Sequence, residues 1–270
     1  MPAPTAETLA DALRPLTADP ARAAVFCDID GTLAPIVQRA GDAKVPQRTS
    51  QLLGRIAKRY GCVACISGRA AAEARRLVGV GGITYAGTHG AEILRPSATR
   101  PDVPDELSAW TARVREFARE RDDGRLRRVR VRIEDKGPIV AFHWRGAPDE
   151  EAAHARVEEL AAEAEAAGFA THWGRKVLEV RPPVPISKGR AVLELVRASG
   201  VETAMFGGDD ATDLDAWDAL DELEEDGTLK GAVRVGVRSD EGPEAIVARA
   251  DLVVDGVHGY QDVLAVLAEA

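Results

Sequence analysis

The 270-residue sequence is poor in cysteine, holding only Cys27, Cys62 and Cys65, and aromatic residues make up just 4% of it. So few thiols, and an odd number, exclude a disulfide-stapled secreted scaffold and predict reduced side chains. Cys62-Val63-Ala64-Cys65 has zinc-like spacing but no second pair, and it lies in an apolar run, so it reads as two buried thiols. No run of about 18 apolar residues occurs, which excludes a membrane-spanning helix. The N-terminal stretch MPAPTAETLADALRPLTADP has no basic segment followed by an apolar one, so it does not read as a signal peptide, and a cytoplasmic location is expected. Solenoid-period repeats and low-complexity tracts are absent. Basic residues are the minority: Lys plus Arg number 35 against 44 Asp plus Glu, a net charge of −9. Phosphate backbones repel such a chain overall. No nucleic-acid or membrane partner is therefore expected, and a monomer is. An acidic protein that handles an anionic substrate needs fixed cations or a bound metal at its site.

What is present fits a globular chain of one to two domains, with 45% hydrophobic and 29% charged residues. Thr5–Leu16 has helical spacing. Ala23–Cys27 is a short continuous apolar run that breaks into Asp28-Ile29-Asp30-Gly31, the pattern of a buried parallel strand. Helical Thr49–Arg59, strand Cys62–Ile66, helical Ala70–Leu77 and strand Ile83–Ala86 follow. The rhythm predicts a parallel sheet with helices on both faces, and polar residues gather just past each strand, where such sheets bind ligands.

The pattern then changes. Arg95–Pro104 reads as a linker and Asp105–Arg121 as a helix. Leu126, Val129, Val131 and Ile133 interleave with Arg127, Arg128, Arg130 and Arg132, which predicts an amphipathic antiparallel strand paired with Ile139–Trp144. Glu150–Ala167 reads as a helix, and Phe169–Trp173 with Val177–Arg181 as a hairpin. After Pro182–Pro185 the first rhythm resumes, with helix Lys188–Ala198, strand Thr203–Phe206, helix Ala211–Leu223, strands Ala232–Val237 and Asp251–Val254, and helix Val257–Ala268. The expected fold is α/β: a doubly wound parallel core over residues 1–102 and 183–270, interrupted by a small α+β insert over 103–182.

Four groups could carry chemistry. Asp28 and Asp30, two residues apart at a strand end, raise each other's pKa unless a cation lies between them, and a hard dication such as Mg²⁺ resolves this with oxygen ligands. The alternative is a loop that caps a helix with Asp. Gly207-Gly208-Asp209-Asp210-Ala211-Thr212-Asp213 places three carboxylates at another strand end, and N-capping explains one of them. Ser67, followed by Gly68-Arg69, offers a hydroxyl and main-chain amides to a phosphate, or is an ordinary N-cap. Lys188 opens a helix against its dipole, which points to an anion nearby.

Asp28-x-Asp30-Gly31-Thr32, Ser67, Lys188 and Gly208-Asp209-Asp210, in this order on these elements, resemble the four motifs of haloacid-dehalogenase-type (HAD-like) phosphatases, and the insert resembles a C2-type cap. Gly87-Thr88-His89-Gly90-Ala91-Glu92, Glu134-x-Lys136, His143-Trp144-Arg145, Val177–Pro182 and Gly208–Asp213 are together similar to the trehalose-6-phosphate phosphatase family, over about residues 22 to 265. Two positions depart from it: Leu214 stands where an acidic residue is usual, and Trp144 where Tyr is frequent.

The resemblance implies a magnesium-dependent phosphatase acting on trehalose 6-phosphate. It casts Asp28 as nucleophile and Asp30 as acid and base. Ser67 and Lys188 bind the phosphoryl group. Asp28, the Asp30 main-chain carbonyl and Asp209 hold Mg²⁺, with Asp210 and Asp213 orienting the ligands or their waters. It adds Arg69, Gly87, His89, Glu134, Lys136, Arg145 and Glu179 as substrate-binding residues, supported by His143 and Arg181. From the residues alone, Glu134 and Lys136 read rather as solvent-facing turn residues, and it is the resemblance that reverses this. Other sugar phosphates, such as sucrose 6-phosphate or a glycosyl-glycerate phosphate, and a non-catalytic sugar-phosphate sensor stay open as alternatives.

Overall fold

A computed structural model describes residues 4–37, 40–174, 176–239 and 242–270. The chain divides into two compact units, Met1–Asp102 with Ile186–Ala270, and Val103–Pro185.

The first unit is built on a seven-stranded sheet. In chain order its strands are β1 (Ala23–Cys27), β2 (Cys62–Ile66), β3 (Thr84–Gly87), β4 (Glu92–Leu94), then β9 (Thr203–Gly208), β10 (Gly231–Arg238) and β11 (Leu252–Asp255). Their spatial order is β11-β10-β9-β1-β2-β3-β4, parallel except where β4 runs against β3. β1 is apolar at every position because both of its faces are covered. Val25 and Cys27 join a cluster with Leu53, Ile56, Tyr85, Val263 and Leu264. Ala24 and Phe26 point the other way, into a cluster with Val192, Leu195, Trp217 and Leu220. The helices Gln47–Ile56 and Gly256–Glu269 thus pack on one face, and Lys188–Ser199 and Asp213–Glu225 on the other. The chain leaves β1 for the helix Gln47–Ile56 on one face and leaves its neighbour β9 for Asp213–Glu225 on the other, which makes the carboxyl ends of these two strands the switch point of the sheet.

The second unit is a four-stranded antiparallel sheet, β5 (Arg132–Asp135), β6 (Val140–His143), β7 (Ala170–Gly174) and β8 (Val177–Arg181), in the order β5-β6-β8-β7. Helices Asp105–Arg121 and Glu150–Ala166 supply the rest of its core, in which Val114, Phe117, Phe142, Val157, Leu160, Leu178 and Val180 are buried together. Phe169 anchors it against Trp110 and Phe117, with ring centroids 5.8 and 5.2 Å apart.

Three local expectations are corrected. The alternating segment from Leu126 is not one strand: Gly124–Arg128 forms a short helix, and β5 begins only at Arg132. The Asp123 carboxylate caps that helix, accepting from the Arg125 and Leu126 N–H groups at 2.8 and 3.1 Å, so local capping overrides the two-residue alternation. The helix expected over Thr5–Leu16 is split at Leu13 into Ala6–Ala12 and Arg14–Thr17, with Pro15 in the first turn of the second piece. Of the two thiols expected to be buried, Cys65 is buried and Cys62 half-buried. Strand β4 and the helix Glu244–Arg249 were not anticipated; both are too short to show a period.

Candidate active site

The site is assembled at the ends of β1, β2 and β9. The Asp28 N–H donates to the Gly207 carbonyl of β9 at 2.8 Å, and the Ser67 N–H to the Ala86 carbonyl of β3 at 3.0 Å. Sheet hydrogen bonding therefore carries both residues to the rim. Past β1 the chain must turn at once, and Gly31 does so at φ +91°, where a side chain is strained.

Lys188 sits almost wholly inside the protein, with its side chain 2% exposed. Its Nζ donates to Asp28 Oδ1 at 2.8 Å and to Asp213 Oδ1 at 2.7 Å, and lies 3.9 Å from Asp210 Oδ1. Burial alone would push the ammonium toward neutrality, but the charges of Asp28, Asp213 and Asp210 outweigh this and hold it charged. The anions that its position at the helix start called for thus include these carboxylates. Asp213 is fully buried and ties the loop together: its Oδ2 accepts from the N–H groups of Asp209 and Asp210 at 2.8 and 2.9 Å. Asp209 is buried too, and its Oδ1 accepts from the Thr32 hydroxyl at 3.1 Å.

This arrangement leaves a charge imbalance. Asp28, Asp209 and Asp213 each bring an oxygen within 4.8 Å of one another. One ammonium faces these three buried carboxylates. Desolvation, opposed but not overcome by Lys188, raises the Asp28 carboxyl well above its ordinary value. Desolvation and then the charges of Asp213 and Asp210 push Asp209 up to about 7. A hard divalent cation answers both shifts, since a cluster of carboxylate oxygens is the donor set that Mg²⁺ prefers. Asp28 and Asp209 fit as ligands. Both Asp213 oxygens already accept hydrogen bonds, which suits it to orienting the others.

The Asp30 carboxylate lies outside this cluster among the described residues. It is clamped by Arg69, whose Nε donates to Oδ2 at 2.7 Å and whose Nη2 donates to Oδ1 at 2.8 Å. Arg69 also pairs with Glu73, one turn along the helix that follows. The loop from Ser67 is held further by main-chain bonds. The His89 N–H donates to the Ser67 carbonyl at 2.9 Å and the Thr88 N–H to the Arg69 carbonyl at 2.8 Å. Thr88 and His89 both take left-handed φ values, 49° and 54°, which are rare for such residues and concentrate at functional sites. Space is equally constrained: a Cβ on Gly68 would lie 2.8 Å from His89 Nε2, and one on Gly87 would lie 2.2 Å from the Ala71 nitrogen.

In the second unit, register groups the residues named for sugar binding. Glu134 pairs with Ala141, Ala141 with Glu179, and Glu179 with His172 across the sheet. These therefore share one face, along with His143, two residues from Ala141, and Arg181, two from Glu179. The opposite face carries the apolar residues Phe142, Leu178 and Val180. Glu179 Oε1 accepts from Lys136 Nζ at 3.2 Å, and Oε2 from Arg181 Nε at 3.1 Å. Burial opposes ionisation of Glu179, yet Arg181 and Lys136 together lower its pKa. Glu134 Oε2 lies 2.8 Å from His143 Nε2. Arg145 is exposed in the turn after β6.

Thr32 and Glu92 stand in the motifs without an assigned role, and Glu73 stands outside them; Thr32 bonds Asp209, Glu73 pairs with Arg69, and Glu92 Oε1 accepts the Ala71 N–H at 2.7 Å. For Glu73 a signal existed, since it stands four residues after Arg69 on a helix.

The trehalose-phosphatase family model matches residues 26–252. A trehalose-phosphate phosphatase of Mycolicibacterium paratuberculosis is 36% identical over 235 residues, covering 83% of this chain and 57% of that protein. The chain thus spans little more than half the length of that relative. The structure of the Aspergillus fumigatus trehalose-6-phosphate phosphatase superposes with a TM-score of 0.66 at 25% identity, covering 100% of this chain and 99% of that one. A haloacid dehalogenase-like hydrolase from Bacteroides thetaiotaomicron shares the fold at 15% identity, with a TM-score of 0.58 over 90% of this chain and 97% of the other. With the motif residues placed as described, the chain belongs to the trehalose-phosphatase family.

Proposed function

We propose that this chain is a magnesium-dependent phosphatase that hydrolyses trehalose 6-phosphate to trehalose and phosphate. The observation that carries the reading is the contact of Lys188 Nζ with Asp28 Oδ1 at 2.8 Å inside a buried cluster of three carboxylates. A lysine so placed neutralises an entering phosphoryl group and leaves the carboxylate aimed at it. Family membership supplies the substrate class.

An Asp28 carboxylate oxygen attacks phosphorus, and the bond from phosphorus to the sugar oxygen breaks. Asp30 donates its proton to that oxygen. In the second half, Asp30 takes a proton from water, the water oxygen attacks phosphorus, and the bond to Asp28 breaks to release phosphate. Ser67 and Lys188 hold the phosphoryl oxygens, with His89 and Gly87 shaping the loop beside them. Asp28, the Asp30 main-chain carbonyl and Asp209 would hold Mg²⁺, which would supply positive charge against the phosphoryl oxygens. Glu134, Lys136 and Glu179 bind the sugar hydroxyls as acceptor, donor and acceptor, supported by Arg145, His143 and Arg181. The reaction proceeds in a cytoplasmic setting, with the chain as a monomer.

Phosphate release from trehalose 6-phosphate, sucrose 6-phosphate, glucose 6-phosphate and a glycosyl-glycerate phosphate, with Mg²⁺ and with chelator, tests the reading. Selective, chelator-sensitive release from trehalose 6-phosphate is expected. Release from a different ester would overturn the sugar assignment and keep the core chemistry. No release from any would overturn the enzyme reading in favour of a sensor.

A further inference from the structure

Arg69 follows Ser67 at the rim of the sheet, where a cation would ordinarily be assigned to the phosphate. Its guanidinium is committed elsewhere. Both oxygens of Asp30 accept from it, at 2.7 and 2.8 Å, in the planar fork geometry that only arginine offers. Among the described residues Arg69 is the only side chain that bonds the Asp30 carboxylate. Asp30 is 37% exposed and would otherwise turn freely about its side-chain bonds, whereas Arg69 is 10% exposed and fixed. Arg69 is secured at three further points. Its third nitrogen pairs with Glu73, its N–H donates to Ser67 Oγ at 3.2 Å, and its carbonyl accepts from Thr88. The chain of contacts runs Glu73, Arg69, Asp30.

We propose that Arg69 is a positioning residue that sets the orientation of the Asp30 carboxylate, with Glu73 as its support, and that it is not a phosphate ligand. The proposal rests on the reading of Asp30 as the acid and base of the reaction. A carboxylate that must reach first the leaving oxygen and then a water gains from being held in one plane, because misplacement of about 1 Å costs on the order of 100-fold in rate. Each Asp30 oxygen accepts one hydrogen bond from the fork and keeps a second lone-pair site for the proton it transfers.

The test separates proton donation from phosphate binding. Single-turnover release of the leaving group, with enzyme in excess, is measured for an alkyl ester (glycerol phosphate) and for p-nitrophenyl phosphate. The alkoxide needs a proton from Asp30, whereas p-nitrophenolate leaves without one. Arg69→Lys keeps the charge and loses the fork; Arg69→Met removes both. In each, the loss with the alkyl ester is expected to exceed that with p-nitrophenyl phosphate by about tenfold or more, in line with a general-acid contribution. The inhibition constant of inorganic phosphate is expected to change by less than about threefold. Glu73→Gln should show a weaker form of the same split. Equal losses on the two esters, or a rise of about tenfold or more in the phosphate inhibition constant, would overturn the proposal. Asp30→Asn is the control. If it too slows both esters equally, the reading of Asp30 fails; if it shows the split and the Arg69 variants do not, the positioning role alone fails. Should Arg69→Met not fold, Arg69→Lys decides.

Discussion

Gly31 and Asp209 compete for one place: a Cβ on Gly31 would lie 2.0 Å from Asp209 Oδ2. The turn that frees Asp28 and Asp30 from the strand is thus packed directly on a proposed metal ligand, and only a residue without a side chain allows both. Gly31→Ala would also strain the backbone, since φ there is +91°. The expected outcome is a loss of more than about 1 kcal/mol in stability. Thermal stabilisation by Mg²⁺ should fall with it, because Asp209 must move. Denaturation scans with and without Mg²⁺ check this, and an unchanged Mg²⁺ effect would contradict the role given to Asp209.

Lys188→Met should be more damaging than its volume suggests. It leaves Asp28 and Asp213 buried without their ammonium, and breaking a buried pair in this way costs about 3–5 kcal/mol. Lys188→Met with Asp213→Asn should recover part of the stability but none of the activity. Paired urea titrations and phosphate-release assays read the two effects separately.

The stability of the metal-free protein should decline as pH rises. Asp209 titrates at about 7 in the folded chain, against an ordinary value near 4, chiefly because it is desolvated. Between these values the folded state binds a proton that the unfolded state has released, so stability falls with rising pH across that window. A bound cation takes the place of the proton. The rise in melting temperature caused by Mg²⁺ should therefore be larger at about pH 8 than at about pH 5. A shift that is the same at both would contradict this.

Glu179→Gln keeps the shape of the side chain but removes the charge that Lys136 and Arg181 share. Under the proposed role, kcat/KM for trehalose 6-phosphate should fall by about 30-fold or more, as for a lost charged hydrogen bond. Turnover of p-nitrophenyl phosphate should fall far less. Equal losses on the two substrates would refute a sugar-binding role.

The two buried thiols, Cys27 and Cys65, should be inert in the folded protein. Cys27 adjoins Asp28, but burial pushes its pKa to about 12, and burial raises Cys65 as well. Thiol-specific reagents should label neither until denaturant is added, and activity should survive the treatment.

Most of the core was legible in the sequence because buried parallel strands are written as unbroken apolar runs. Ala23–Cys27 and Cys62–Ile66 state their own boundaries, and the abrupt change to Asp28 and Ser67 marks the rim where chemistry gathers. The resemblance rested on those same strand ends. Less was legible where a short-range contact competes with a weak period. Leu126–Ile133 alternates like a strand, but the Asp123 cap turns its first half into a helix.

The sequence by itself determined which residues stand at the strand ends, because the alternation of apolar runs and polar breaks is local information. Which partners those residues take was decided only by the tertiary structure. Lys188 reaches Asp28 across 160 positions of chain, and Arg69 reaches Asp30 across 39. Such pairs are selected by burial: a charge brought inside must meet its counter-charge at hydrogen-bond distance, and only the packed sheet fixes which carboxylate that is.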